Sequence, residues 1–184
     1  ILILGAIGAF SGFFYTAPPF KLVHRGIGEL FIGLNFGILA TLGSFFVQAE
    51  KLAWEPVVAS LPVALLITAI LYINEFQDYS ADKAVGKRHW VVRLGKRRAV
   101  HGFGILMALV YLVIIAGIIA KSLTPWAAIA LLTAPLAIKA VLVTSKNFGD
   151  SKALTPANAA TIITHLATGT ALTIAYIIQG LANR

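Results

Sequence analysis

Apolar residues along this chain come in long unbroken runs, and polar residues fall in short blocks between them. A helix needs roughly 20 apolar residues to cross a hydrocarbon core. Six runs approach or reach that length: about 1–14, 28–47, 57–75, 100–120, 125–144 and 158–180. None alternates with the period of two expected of a half-buried strand. Helices are also the simpler way to satisfy backbone groups in lipid. The pattern predicts an all-α integral membrane protein, a multi-helix transmembrane bundle of six spans forming one domain over 1–184. The chain opens Ile-Leu-Ile-Leu, with neither a Met nor the basic stretch of a signal peptide. The first span therefore reads as cut short, with further sequence expected before Ile1.

Composition agrees with this reading. Hydrophobic residues make up 59% of the chain and charged residues 12%, against about 25% charged in soluble domains. There is no cysteine, which excludes disulfides and thiolate metal sites. A net charge of +8 would suggest nucleic acid in a soluble protein. In a membrane protein it reads as basic loops facing an anionic leaflet, with membrane lipids as partners and no nucleic acid. The bases sort by loop. Lys21, Arg25, Lys83, Lys87, Arg88, Arg93, Lys96, Arg97, Arg98, Lys146 and Lys152 fall in loops 15–27, 76–99 and 145–157, with Lys139 near the same end. Only Lys51, Lys121 and Arg184 fall on the other face. The positive-inside rule puts the basic face in the cytoplasm of a multi-pass protein of the cell membrane. Gly8–Gly12 and Gly33–Gly37 have the spacing of close helix contacts. Glycine is also simply frequent in membrane helices, which leaves both readings open for each pair.

The longest polar stretch, 76–99, begins inside an acid-rich segment, NEFQDYSADKAVGKR at 74–88. Long loops in compact proteins are often functional. Asn74, Asp78 and Asp82 stand at i, i+4 and i+8, so on a helix they share a stripe. Three oxygen-bearing side chains without His or Cys suit a hard cation such as Mg²⁺. Mg²⁺ takes one or two carboxylates and prefers water and phosphate for the rest. The bases that follow, Lys83, Lys87, Arg88 and Arg93, would suit such a phosphate, and Gly86 and Gly95 mark helix stops. The plainer reading is a solvated helix end with weak i, i+4 pairing, as in Glu75–Tyr79–Lys83. Membrane depth favours the functional reading, because ionisable groups there are costly. Arg97 and Arg98 read as lipid-surface anchors.

The segment from Asn74 to Gly95, with Asp78-x-x-x-Asp82, Gly86-Lys87-Arg88 and Val92-Arg93-Leu94-Gly95, resembles the second aspartate-rich motif of the UbiA superfamily of intramembrane prenyltransferases. Tyr15-Thr-Ala-Pro18-Pro19-Phe-Lys21, then Gly26-Ile-Gly28-Glu29 and Phe36-Gly37, resembles the segment joining the family's fourth and fifth helices, in the menaquinone branch that prenylates 1,4-dihydroxy-2-naphthoate. His89 and Trp90 replace the usual Thr-Leu, and Gln77 stands where menaquinone enzymes commonly carry Arg. The family has nine helices and a first motif, Asn/Asp-x-x-x-Asp, between its second and third; no counterpart precedes residue 74 here. The resemblance implies that this is the C-terminal portion of the fold, helices four to nine, with 76–99 as a cytoplasmic active-site loop.

The resemblance further implies transfer of a polyprenyl group from a prenyl diphosphate to a lipid-soluble aromatic quinone precursor, with Mg²⁺ bound to the diphosphate. It makes Asp78 and Asp82 metal–diphosphate ligands and Asn74 a supporting ligand or hydrogen-bond donor. Lys87 and Arg88 would hold phosphate. Arg93 would do so or anchor the loop, and Lys21 is a further phosphate candidate. Tyr15 and Tyr72 are candidates to face the allylic carbocation, or are interfacial anchors. Glu29 would orient Lys21 or a substrate hydroxyl, or is an acid favoured at a helix start. Asn35 would line the cavity or bond another helix, His165, with Thr161 and Thr168, reads as an interhelical hydrogen-bonding group, and His101 as a loop-edge residue. Two rivals stand beside this. CDP-alcohol phosphotransferases need an Asp-Gly dipeptide, which is absent. A transporter or channel fragment with a cytoplasmic cation-binding loop would place its acids near the midplane.

Overall fold

The computed structural model describes residues 1–183, and the outer-face assignment of Arg184 lies outside them. Among the described residues every regular element is helical. α1 is Leu2–Phe13 and α2 is Leu22–Arg25. α3, Gly28–Ala49, contains a π-helical segment at Leu34–Leu39. α4 is Glu55–Gln77, α5 Tyr79–Ala84, α6 Trp90–Leu94 and α7 Lys96–Ile119. α8, Pro125–Asn147, starts as a 3₁₀ helix over Pro125–Thr133, and α9 is Thr155–Ala182.

Five helices, α3, α4, α7, α8 and α9, are long and apolar enough to cross a membrane. The run expected as a shortened first span is α1, with 12 residues. The stretch 76–99, expected as a loop, is mostly wound into α5, α6 and the start of α7.

α4 is the central helix and packs against α3, α7 and α9. α7, α8 and α9 close a four-helix group with it, and α1 touches the bundle through the π segment of α3. Phe103, Met107, Val110 and Ile114 form the buried stripe of α7, with steps of four and three that keep one face inward. They meet Leu66, Ala69, Ile73 and Phe76 of α4. α8 and α9 present Ala127, Ala130, Ala137, Ala140, Ala157, Ala160 and Ala175 to the core. In lipid, apolar burial does not favour helix association over lipid contact, so close approach of small residues supplies it instead. The leucines and isoleucines on the far faces, such as Leu132 and Leu166, stay exposed to where acyl chains would lie.

The glycine pairs separate clearly. A methyl group at Gly37 would run into the backbone and Cβ of Ala64, and one at Gly33 into Thr68 and the Ala64 carbonyl. Gly33–Gly37 is therefore the contact face of α3 on α4. A Cβ at Gly12 would meet nothing, and one at Gly8 only the Asn35 side chain, so that pair marks no close helix contact. Asn35 does join helices: its Nδ2 donates to Ser11 Oγ on α1 at 2.8 Å. Thr168 bonds Thr133 across α9 and α8 at 2.9 Å, whereas the half-buried His165 beside it has no partner at Nδ1. The 3₁₀ start of α8 delivers Pro135 to the first turn of its α-helical part, where a missing N–H costs least.

Side-chain bonds gather the three basic segments at one end of the bundle. Gln77 and Ser151 exchange side-chain-to-backbone bonds at 3.2 and 3.3 Å. Trp90 Nε1 donates to the Gly26 carbonyl at 2.8 Å. At the opposite end, Thr124 donates to Gln179 at 2.8 Å.

Candidate functional site

The acid stretch is shaped by two turns. Asp78 has φ −87° and ψ 1°, which bends the chain between α4 and α5 without stopping it. The Asp78 N–H still donates to the Asn74 carbonyl, and the Asp82 N–H to that of Asp78. α5 then ends in a left-handed glycine turn: Gly86 has φ 78°, its N–H donates to Lys83, and the Lys87 N–H donates back to the Asp82 carbonyl at 3.0 Å. This is the Schellman pattern, in which glycine takes a conformation other residues adopt at a cost. The turn folds Lys87 over its own helix, and Lys87 Nζ lies 2.6 Å from Asp82 Oδ1.

The chain next passes inward. His89 is 1% exposed and caps α6, with Nδ1 accepting the Val92 N–H at 3.3 Å. Its ring lies between two carboxylates. Nδ1 is 3.2 Å from Glu75 Oε2, and Nε2 is 3.3 Å from Asp82 Oδ2. Both contacts have ion-pair distance, but neither has hydrogen-bond alignment, so Glu75 Oε2 and His89 Nε2 keep their bonding capacity uncommitted. Burial works against a charged imidazole here, but Glu75 beside it, then Asp82 and Glu29, outweigh that and raise its pKa above 6.5.

Glu29, fully buried in the first turn of α3, accepts the Trp90 N–H at Oε1 across 2.5 Å, while Oε2 has no partner. It therefore braces the backbone beside His89; no bond links it to Lys21. Tyr15, half-buried against Gly28, feels the same acids. Burial first, then the charges of Glu75, Glu29 and Asp82, push its phenol up to about 12, so it is a neutral hydroxyl at any physiological pH.

The remaining predicted residues fall around this group. Asn74 is tied to the last span, with Asn158 Nδ2 donating to its Oδ1 at 2.6 Å. Asp78 is exposed, so the stripe of Asn74, Asp78 and Asp82 turns only its first and last members towards neighbouring helices. Arg93 bridges two loops: Nε donates to the Arg88 carbonyl at 2.5 Å and Nη2 to the Arg25 carbonyl at 2.7 Å. Gly26 permits this, since it has φ 70° and a Cβ there would occupy the Arg93 side chain's position. The Arg88 and Lys21 side chains are exposed. Tyr72 is buried among Phe76, Trp90 and Phe103, with its hydroxyl spent on the Ala99 carbonyl at 3.1 Å. Tyr79 lies under both Lys83 and Lys96, at 5.7 and 5.5 Å from its ring centre. His101 is exposed on α7 rather than at a loop edge.

Sequence reasoning missed Glu75 as an inward-facing acid, His89 as its partner, and Asn158. Glu75 had a signal available. It belongs to the last turn of an apolar span, where an ionisable group is expensive unless it is used. The i, i+4 series Glu75–Tyr79–Lys83 suggests a solvated face, but Glu75 is 4% exposed and turned to His89.

The donor set bears on a metal. Among the described residues no three His, Cys, Asp or Glu side chains converge to hold a cation by themselves. The exposed donors, Asp78 and one edge of Asp82, are carboxylate oxygens, which fit a hard cation that keeps water and phosphate as its other ligands. An apolar cleft of about 320 Å³ lies between α1 and α3, lined by Tyr15, Ser11, Ile32, Phe36 and Leu39.

The class the structure defines is a helical bundle with spans apolar enough for a membrane, carrying carboxylates and bases at one end. The comparison with known families narrows it. The profile of the UbiA prenyltransferase family matches residues 1–162, and the chain belongs to that family. It is similar to the 1,4-dihydroxy-2-naphthoate octaprenyltransferase of Bacillus subtilis, 29% identical over 141 residues covering 77% of this chain and 45% of that protein. The Escherichia coli protein of the same name is 33% identical over 140 residues, covering 75% of this chain and 45% of its own. Human UbiA prenyltransferase domain-containing protein 1 is 32% identical over 130 residues, covering 71% of this chain and 38% of its own. The chain thus spans less than half the length of these curated relatives. No solved structure gives a significant match.

Proposed function

We propose that this chain forms part of an intramembrane prenyltransferase that moves a polyprenyl group from a prenyl diphosphate to an aromatic quinone precursor of the dihydroxynaphthoate type. The observation that carries the reading is the pairing of Asp82 with Lys87 at 2.6 Å on an open rim, in a chain of the UbiA family. Asp78 and Asp82 would hold Mg²⁺, which when bound would supply positive charge to the departing diphosphate. Lys87 sits where it can leave Asp82 for a phosphate oxygen, and the exposed Arg88 and Lys21 add charge at the same end. Tyr15 lines the apolar cleft within the field of Glu75, Glu29 and Asp82, and can offer its π-face and a neutral hydroxyl to an allylic group. The cleft has the polarity an isoprenoid tail needs. The excess of bases at this end favours a site facing the cytoplasm of the cell membrane.

The test is turnover by the full-length protein in liposomes, with a prenyl diphosphate, 1,4-dihydroxy-2-naphthoate and Mg²⁺. Product should form, and Asp78→Ala and Asp82→Ala should each abolish it. Full activity in both variants would refute this site.

A further inference from the structure

Asp82 has a support that the motif alone does not supply. Its two oxygens meet two different bases: Oδ1 the partly exposed Lys87, and Oδ2 the buried ring of His89. The His89 ring has little freedom. It caps α6 through Val92, and the next residue, Trp90, is pinned twice, by Glu29 at its N–H and by the Gly26 carbonyl at its indole. Behind the ring stands Glu75, 4% exposed, with an oxygen that has no hydrogen-bond partner. That oxygen lies 3.2 Å from Nδ1, so the imidazole is flanked by a carboxylate on each side, and the charge of Glu75 favours the ring's place between them.

We infer that His89 is a positioning residue, which holds one oxygen of Asp82 so that the other is presented to Lys87 and the diphosphate, with Glu75 bracing the imidazole from the protein interior. The inference rests on the reading of Asp82 as a diphosphate-site carboxylate. A carboxylate on a short side chain at the mouth of a site can rotate freely. With Oδ2 3.3 Å from the buried His89 Nε2 and Oδ1 2.6 Å from Lys87 Nζ, Asp82 faces a base at each oxygen before substrate arrives, and such preorganisation lowers the ordering cost of binding. Supports of this kind behind a ligand commonly matter by factors of ten or more.

The experiment uses the full-length protein with His89→Ala, His89→Gln, Asp82→Ala and Glu75→Gln. Two quantities are read: calorimetric binding of inorganic diphosphate with Mg²⁺, and the KM and kcat for prenyl diphosphate. His89→Ala is expected to weaken diphosphate binding and raise KM roughly tenfold or more, with a smaller change in kcat. His89→Gln, whose amide can still donate towards Asp82 Oδ2, should recover part of the loss, and Glu75→Gln should weaken binding less than His89→Ala. Unchanged diphosphate affinity in His89→Ala and His89→Gln, with Asp82→Ala defective, overturns the inference alone. Intact diphosphate binding in Asp82→Ala overturns the site reading beneath it. If His89→Ala does not fold, His89→Gln against wild type still decides, because a merely structural role would shift the melting temperature and leave diphosphate affinity unmoved.

Discussion

Asn158 of the last span donates to the side-chain oxygen of Asn74 across 2.6 Å, so the start of α9 holds the first residue of the acid stretch in place. The same amide approaches Gln77 at 3.4 Å, and Gln77 in turn bonds Ser151. Residues distant in sequence thus fix the end of α4. Interhelical hydrogen bonds in membranes are worth about 1 kcal/mol or less. Asn158→Ala should therefore lower the melting temperature in detergent only slightly, yet reduce prenyl transfer because Asn74 is freed. Unchanged turnover would mean that Asn74 needs no tie to α9.

Gly37 packs directly on Ala64, so Gly37→Ala should destabilise the α3–α4 contact by about 1–3 kcal/mol, the usual cost of overpacking. Gly12→Ala, which meets open space, should be neutral in the same melting measurement. Equal effects at the two positions would show that glycine spacing, and not contact, sets the cost.

The difference between those glycine pairs shows what a hydrophobic pattern can and cannot carry. The spans were legible because lipid demands apolar runs of fixed length. Their ends were not: Lys96, Arg97 and Arg98 are polar yet lie within α7, since a helix can run past the membrane edge. The stops at Gly86 and Gly95 were legible, and both have positive φ. The helical spacing of the acid stripe was legible but not its orientation, because the bend at Asp78 turns that residue outward. The contact of Glu75 with His89 left no local trace. It depends on a glycine turn, a cap and a braced tryptophan acting together.

Arg93 uses two nitrogens of one rigid fork to join the carbonyls of Arg25 and Arg88. Lysine cannot reproduce that geometry. Arg93→Lys should make the loops around residues 25 and 88 more sensitive to limited proteolysis while the transmembrane helices stay protected. An unchanged cleavage pattern would exclude the bridging role.

The Tyr15 phenol is pushed up to about 12 from an ordinary 10.0. Its folded-state pKa is raised, so the stabilising contribution is fully present below pH 10 and is lost as pH rises through about 12. In that window the unfolded chain releases the proton while the folded chain keeps it. Titration of tyrosinate absorbance should show a component near 12 that Tyr15→Phe removes. Loss of a component near 10 instead would place Tyr15 in water.

Lys87 is about a third exposed, and its pairing with Asp82 is an ion pair at the rim. Such pairs contribute about 0–1 kcal/mol to stability, and here the Lys87 partner is partly solvated while Asp82 keeps His89 beside it. Lys87→Met should therefore melt within about 1 kcal/mol of wild type. Its effect on function should be much larger. A phosphate oxygen recruits Lys87 from Asp82 without new desolvation, and charge-assisted bonds to an anionic group are the stronger kind. The KM for prenyl diphosphate should rise roughly tenfold, equal to about 1.4 kcal/mol of lost binding. Lys87→Arg should retain part of the affinity, because the positive charge is kept while the point contact is not. The measurement is steady-state kinetics against prenyl diphosphate at saturating acceptor. A loss of stability without a change in KM would make Lys87 a clip for the glycine turn and remove it from the diphosphate site.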